Sequence, residues 1–139
     1  SDADIYAAGD VAFHFNPILG RHVRLESWAN AQNGGIAVAR NMVGEPTPYS
    51  EVPWFWSDQY DLNLQVAGVP LSWDRLVVRG DPESGKCVIF YKMGEKVVGA
   101  TSFNMGREMR FCRKLVETGR EIADSDLGDT DQSLRNLLA

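Results

Sequence analysis

Hydrophobic and polar positions divide the chain into a helix-patterned first stretch and a strand-patterned second one. Ile5, Tyr6, Ala7 and Ala8 form a short apolar run closed by Gly9 and Asp10, the pattern of a strand buried on both faces that ends in a tight turn. Residues 11–24 carry no clear period and read as loop. Over residues 27–43 the period becomes helical, with Trp28, Ala31, Gly35, Val38 or Ala39, and Met42 at three- and four-residue steps. Ser27 suits the N-cap, Gly44 the residue beyond the C-terminus, and Pro46 forbids continuation. Gly34 and Gly35 in mid-helix cost about 1 kcal/mol each against Ala, which implies a close approach of the backbone to another element or a ligand.

Three prolines, Pro46, Pro48 and Pro53, make 45–53 a semi-rigid connector. Beyond it Leu62, Leu64 and Val66 alternate with Asn63 and Gln65, a half-buried strand, and strand-like runs follow at 75–79, 86–92 and 96–103. Gly80 to Gly85 and Gly94-Glu95 join these runs tightly, so they pair antiparallel. Asn104 suits the cap of a helix over about 105–119 with Met105, Met109, Cys112 and Val116 in one stripe, and a last helix is predicted through Leu134, Leu137 and Leu138. The fold class is therefore α+β: a strand plus helix over 1–44, then an antiparallel sheet with C-terminal helices over 45–139. A strand buried on both faces needs neighbours that the few residues before it do not supply, so the pattern predicts a piece of a larger fold.

Composition narrows the partners. Of 139 residues, 44% are hydrophobic and 24% charged, the balance of a folded globular chain. Fourteen Lys and Arg against nineteen Asp and Glu give a net charge of −5, the wrong sign for covering phosphates, which argues against nucleic acid. No apolar run approaches the roughly 20 residues that span a bilayer and no basic-then-apolar leader opens the chain, so the expected location is the cytoplasm, away from membranes. Cys87 and Cys112 stand far apart and read as reduced, packed thiols. His14 and His22, eight apart, do not make a metal site, and none of the usual nucleotide, metalloprotease or hydrolase signatures occurs. No catalytic side chain and no metal are assigned.

Three places could nonetheless carry chemistry. Gly9-Asp10 lies at the end of the first apolar run, where a carboxylate either accepts hydrogen bonds from sugar-like hydroxyls or caps the next turn. The helix start at Ser27, Trp28, Ala29 and Asn30 offers backbone amides and the positive end of a dipole. The run Pro53-Trp54-Phe55-Trp56-Ser57-Asp58-Gln59-Tyr60 holds four aromatic rings in seven positions, either a core cluster or an interface anchor. Arg107, Arg110, Arg113 and Lys114 also gather on the penultimate helix of an acidic chain, as a solvated face or as a patch that steers an acidic partner.

In order and spacing, IYAAGDVA, then NPILGRHVRLESWANAQNGGIAVARNMVG, then PWFWSDQYDLNLQVAGV resemble the C-terminal third of the FAD-dependent NAD(P)H ferredoxin reductases of oxygenase systems, the putidaredoxin reductase type. The resemblance covers most of residues 1–80 and thins towards the C-terminus. It implies that 1–44 is the tail of a Rossmann-like FAD domain whose Gly9-Asp10 turn bonds flavin hydroxyls, with Trp28 and Ala29 beside the ring. It implies that 45–139 is the interface domain, where Trp56 and Trp54 border both flavin and docking surface; the basic cluster, with Arg107 and Arg110 as the expected partner contacts, is compatible with that reading on charge alone. The implied parent passes electrons from NAD(P)H through FAD to a 2Fe–2S ferredoxin; the piece alone would retain no FAD and turn nothing over. A different class is an autonomous α+β interaction module without a redox role. Exposed apolar surface left by missing neighbours implies a dimer or a swapped segment.

Overall fold

The computed structural model describes Asp2 and residues 4–139, in two compact units, Ser1–Pro53 and Trp54–Ala139, so that the proline-rich stretch belongs with the first.

In the first unit, residues 11–24 are not loop. Phe13–Asn16 (β1) and Arg21–Arg24 (β2) pair antiparallel, with His14 opposite Val23 and Phe15 opposite His22. The fully buried Asn16 closes the turn: its Oδ1 accepts from the Ile18 and Leu19 amides at 3.0 and 3.1 Å, and its Nδ2 donates to the Glu51 carbonyl at 2.8 Å. The helix α1 spans Trp28–Met42, and Ser27 Oγ accepts from the Asn30 amide at 3.3 Å as its cap. Its buried face is Ala29, Asn30, Gly34 and Ala37, not the apolar stripe through Trp28 and Met42, which lie 64% and 65% exposed. The face is displaced because Asn30 is paid for by hydrogen bonds: its Nδ2 donates to the Leu25 carbonyl at 2.8 Å and its Oδ1 accepts from the Tyr49 hydroxyl at 3.1 Å. Gly34 meets the N-terminal segment, since an added Cβ would lie 3.8 Å from Ala8 Cβ, whereas one at Gly35 would meet nothing within 4 Å.

Residues 5–8 form no strand. Ile5 is 74% exposed and Tyr6 43%, and the segment runs into a 3-10 turn at Gly9–Val11. Among the described residues no strand offers these backbone groups a ladder, and an apolar run without a ladder stays irregular.

The second unit is a five-stranded antiparallel sheet in the order β3-β4-β7-β6-β5, comprising Trp54–Gln59, Leu62–Gly68, Lys96–Phe103, Lys86–Met93 and Arg75–Asp81. The four strands read from alternation are present, and the aromatic run is a fifth, at the edge. Register puts Trp54, Ala67, Ala100, Phe90 and Val77 in one row across the sheet. Helix α2, Met109–Thr118, packs on β4 and β7 and α3, Asp124–Gly128, on β5; Val88, Phe90, Ala100, Met109, Cys112, Leu115, Leu127 and Leu134 are buried.

Two helix boundaries differ from expectation. Asn104 sits at φ 51° and ties strand connections together, accepting from the Asn63 amide at 2.8 Å and donating to the Gly85 carbonyl at 3.2 Å, so α2 begins at Met109 instead of near 105. The expected last helix is only a 3-10 turn at Asn136–Leu138, and the unforeseen α3 precedes it. Buried cations organise this tail. Arg79 donates to the Leu127, Asp129 and Gln132 carbonyls, and Lys92, with no exposed side-chain surface, reaches the Ile122 carbonyl and Asp124 Oδ1, both at 2.5 Å. Among the described residues no helix is long and apolar enough to cross a membrane.

Candidate functional site

Alternation along β3 turns Trp54 and Trp56 to the same side of the sheet. Their rings stack with centroids 4.8 Å apart and planes inclined by 29°. Trp54 Nε1–H donates to Gln65 Oε1 at 3.2 Å; Gln65 Nε2 donates to Asn63 Oδ1 at 3.0 Å; Asn63 Nδ2 donates to Asp58 Oδ1 at 2.6 Å. From α2, the Arg113 guanidinium lies 5.2 Å from the Trp54 ring centroid, within cation–π range. Arg113 thus joins the basic helix to the aromatic strand, although the two are far apart in the sequence.

The basic residues divide by role. Arg107 and Arg110 are exposed, and Arg110 lies 4.4 Å over the Phe111 ring. Lys114 pairs with Glu117 along α2 at 3.0 Å. It is Arg113 that reaches the tryptophans. Trp56 keeps 39% of its surface exposed, so one part of the indole is packed and another is open.

In the first unit the Gly9-Asp10 turn rests on the first turn of α1: Gly9 has φ 76°, and a Cβ there would lie 3.7 Å from Ala31 Cβ. Asp10 is exposed, Trp28 is exposed, and Ala29 is buried, so at Ala29 the methyl group faces inward. An exposed carboxylate beside a helix start fits a ligand that carries hydroxyls and an electron-rich edge, which is the chemistry of a flavin and its ribityl chain. A cavity of about 110 Å³ opens behind the turn, lined by Ala8, Gly9, His14, Asn30, Gly34 and Tyr49 among others. Burial raises the Tyr49 hydroxyl's pKa, and the charge of Glu51 adds to the effect.

The thiols are poor nucleophiles. Burial, with the charge of Glu108, pushes Cys112 up to about 12, and burial with Asp81 raises Cys87. Among the described residues no three His, Cys, Asp or Glu side chains are grouped to hold a metal.

The sequence profile of the Reductase C-terminal family matches residues 54–138. The chain belongs to that family. This Reductase C-terminal chain is 42% identical over 139 residues to the anthranilate 1,2-dioxygenase system ferredoxin–NAD(+) reductase component of Burkholderia cepacia, covering 99% of the chain and 34% of that protein. Its fold superimposes with a TM-score of 0.87 on the ferredoxin reductase for the CYP199A2 system from Rhodopseudomonas palustris, at 30% identity over 95% of the chain and 33% of that one. It superimposes with a TM-score of 0.88 on the covalent putidaredoxin reductase–putidaredoxin complex, at 28% identity over 94% and 31%. The α+β fold, an antiparallel sheet with C-terminal helices, is thus the one these reductases carry. The chain spans about a third of the length of the curated relatives it matches.

Proposed function

We propose that the chain is the flavin-adjacent and acceptor-facing part of a flavoprotein that carries electrons from NAD(P)H through FAD to a 2Fe–2S ferredoxin of an oxygenase system. The observation that carries this reading is the Trp54–Trp56 stack, open at Trp56 and flanked by Arg113, in a chain 42% identical to a ferredoxin–NAD(+) reductase component. When bound, FAD supplies the conversion of a two-electron hydride into single electrons. The chain's own residues bind and orient. Asp10 accepts hydrogen bonds from flavin-chain hydroxyls, Gly9 shapes the turn that presents it, and Trp28 and Ala29 set the helix start towards the ring.

In the second unit Trp56 borders both the flavin and the acceptor, Trp54 backs it, and Arg107 and Arg110 steer an acidic partner. Electron transfer needs close approach and no covalent chemistry, so an aromatic edge with a basic rim is a sufficient device. The cytoplasm is the proposed location. The test is Trp56→Ala in the longer reductase: ferredoxin reduction by NAD(P)H is expected to slow while flavin reduction by NAD(P)H persists. An unchanged ferredoxin rate would favour an interaction module without an electron-transfer role.

A further inference from the structure

The hydrogen-bond chain beneath the tryptophans has a direction. Asp58, as a carboxylate, only accepts, and the Trp54 indole nitrogen only donates. Between them stand two amides, Asn63 and Gln65, each of which could in principle be turned end for end. Neither is free to turn. Asn63 must present its Nδ2 to Asp58 Oδ1, which leaves its Oδ1 for Gln65; Gln65 must then present Nε2 to Asn63, which leaves its Oε1 for the indole. A reversed Gln65 would set a donor against the Trp54 N–H and leave that hydrogen bond unmade. A carboxylate two strand positions beyond Trp56 therefore dictates the setting of the Trp54 ring, and the stack transmits it to Trp56.

Gly106 supplies a second and independent observation. A Cβ at this position would overlap Gln65 Nε2 and stand 3.1 Å from Asn63 Oδ1. The turn that leads into α2 thus passes directly over the two amides, and only the absence of a side chain leaves them their place. The atom in the way is the end of a flexible side chain, so a methyl group there would displace the amide and spare the fold.

We propose that Asp58, Asn63 and Gln65 are positioning residues for the Trp54–Trp56 pair, and that Gly106 keeps their space open. Its meaning for electron transfer rests on the docking reading above; its geometry does not. The relay holds the open part of Trp56 in one orientation towards an acceptor, lowering the ordering cost that a mobile indole would add on docking.

The experiment is far-ultraviolet circular dichroism of the 139-residue chain. Two stacked indoles couple their transitions into a paired positive and negative band, and Trp56→Phe assigns that band by abolishing it. Gln65→Leu, of similar size but without an acceptor, and Gly106→Ala are each expected to lose most of the couplet while the melting temperature stays close to that of the parent. Gln65→Glu, which keeps an oxygen opposite the indole N–H but puts a second oxygen in place of the donor to Asn63 Oδ1, is expected to lose it too, because the relay needs both ends of the amide. A couplet of parental size in both Gln65→Leu and Gly106→Ala overturns the inference. The docking reading fails separately, if Trp56→Ala leaves ferredoxin binding unchanged whatever the couplet does.

Discussion

Arg113 holds its guanidinium 5.2 Å from the ring centroid of Trp54, and so fastens α2 to the edge strand β3. A contact of this kind at a partly open site contributes about 0.5–1 kcal/mol. Arg113→Gln is expected to lower the chain's unfolding free energy by about that amount, read by urea denaturation. In the longer reductase it is also expected to slow association with ferredoxin and to flatten its salt dependence, since a charge at the rim of a docking surface acts mainly on the association rate.

The core of the second unit centres on Phe90, which has no exposed surface and lies in the row with Val77 and Ala100. Phe90→Ala is expected to cost about 3–5 kcal/mol, measured by chemical denaturation.

The two mid-helix and strand glycines Gly35 and Gly68 should respond oppositely to Ala. At Gly35 a methyl group meets nothing within 4 Å, and replacement is expected to stabilise by about 0.5–1 kcal/mol through helix propensity. Gly68 has φ 78° and its Cβ would come 2.7 Å from the Val98 carbonyl, so replacement is expected to cost at least about 1 kcal/mol. Thermal melts of both variants check the pair.

Acid should loosen the tail of the second unit. Hydrogen bonds from Lys92 and then Arg75 hold Glu95 below its ordinary 4.5, and hydrogen bonds from Arg75 and then Lys92 hold Asp124 below its ordinary 3.8. Depressed folded-state values mean that these carboxylates contribute stability fully above about pH 4.5, and that it is withdrawn as pH falls through the folded values. Denaturation midpoints are expected to fall below pH 4.5 in the parent, and to fall less steeply in Asp124→Asn.

Alternation and turn chemistry made most of the sheet legible: Leu62, Leu64 and Val66 against Asn63 and Gln65 are a strand in the chain and in space. The edge strand hid behind its own composition, because Trp54, Phe55 and Trp56 read as an anchor before they read as alternation. Buried polar side chains hid the rest. Asn30 on the inner face of α1, Asn16 inside the hairpin, and Lys92 and Arg79 under the tail are all inside because of specific hydrogen bonds, which periodicity does not register. The run at residues 5–8 shows the converse, an apolar pattern that stays irregular without partners. At the candidate site, the tryptophans and the basic helix were legible separately. That Arg113, rather than Arg107 or Arg110, joins them follows only from the packing of α2 beside β3.

The most direct measurement is a titration of the isotope-labelled chain with oxidised 2Fe–2S ferredoxin, followed by the indole N–H resonances. The Trp54 and Trp56 signals are expected to shift or broaden with a common binding curve while Trp73 stays in place. Signals of Trp54 and Trp56 that remain unmoved at saturating ferredoxin would contradict the assignment of this aromatic edge as the docking surface.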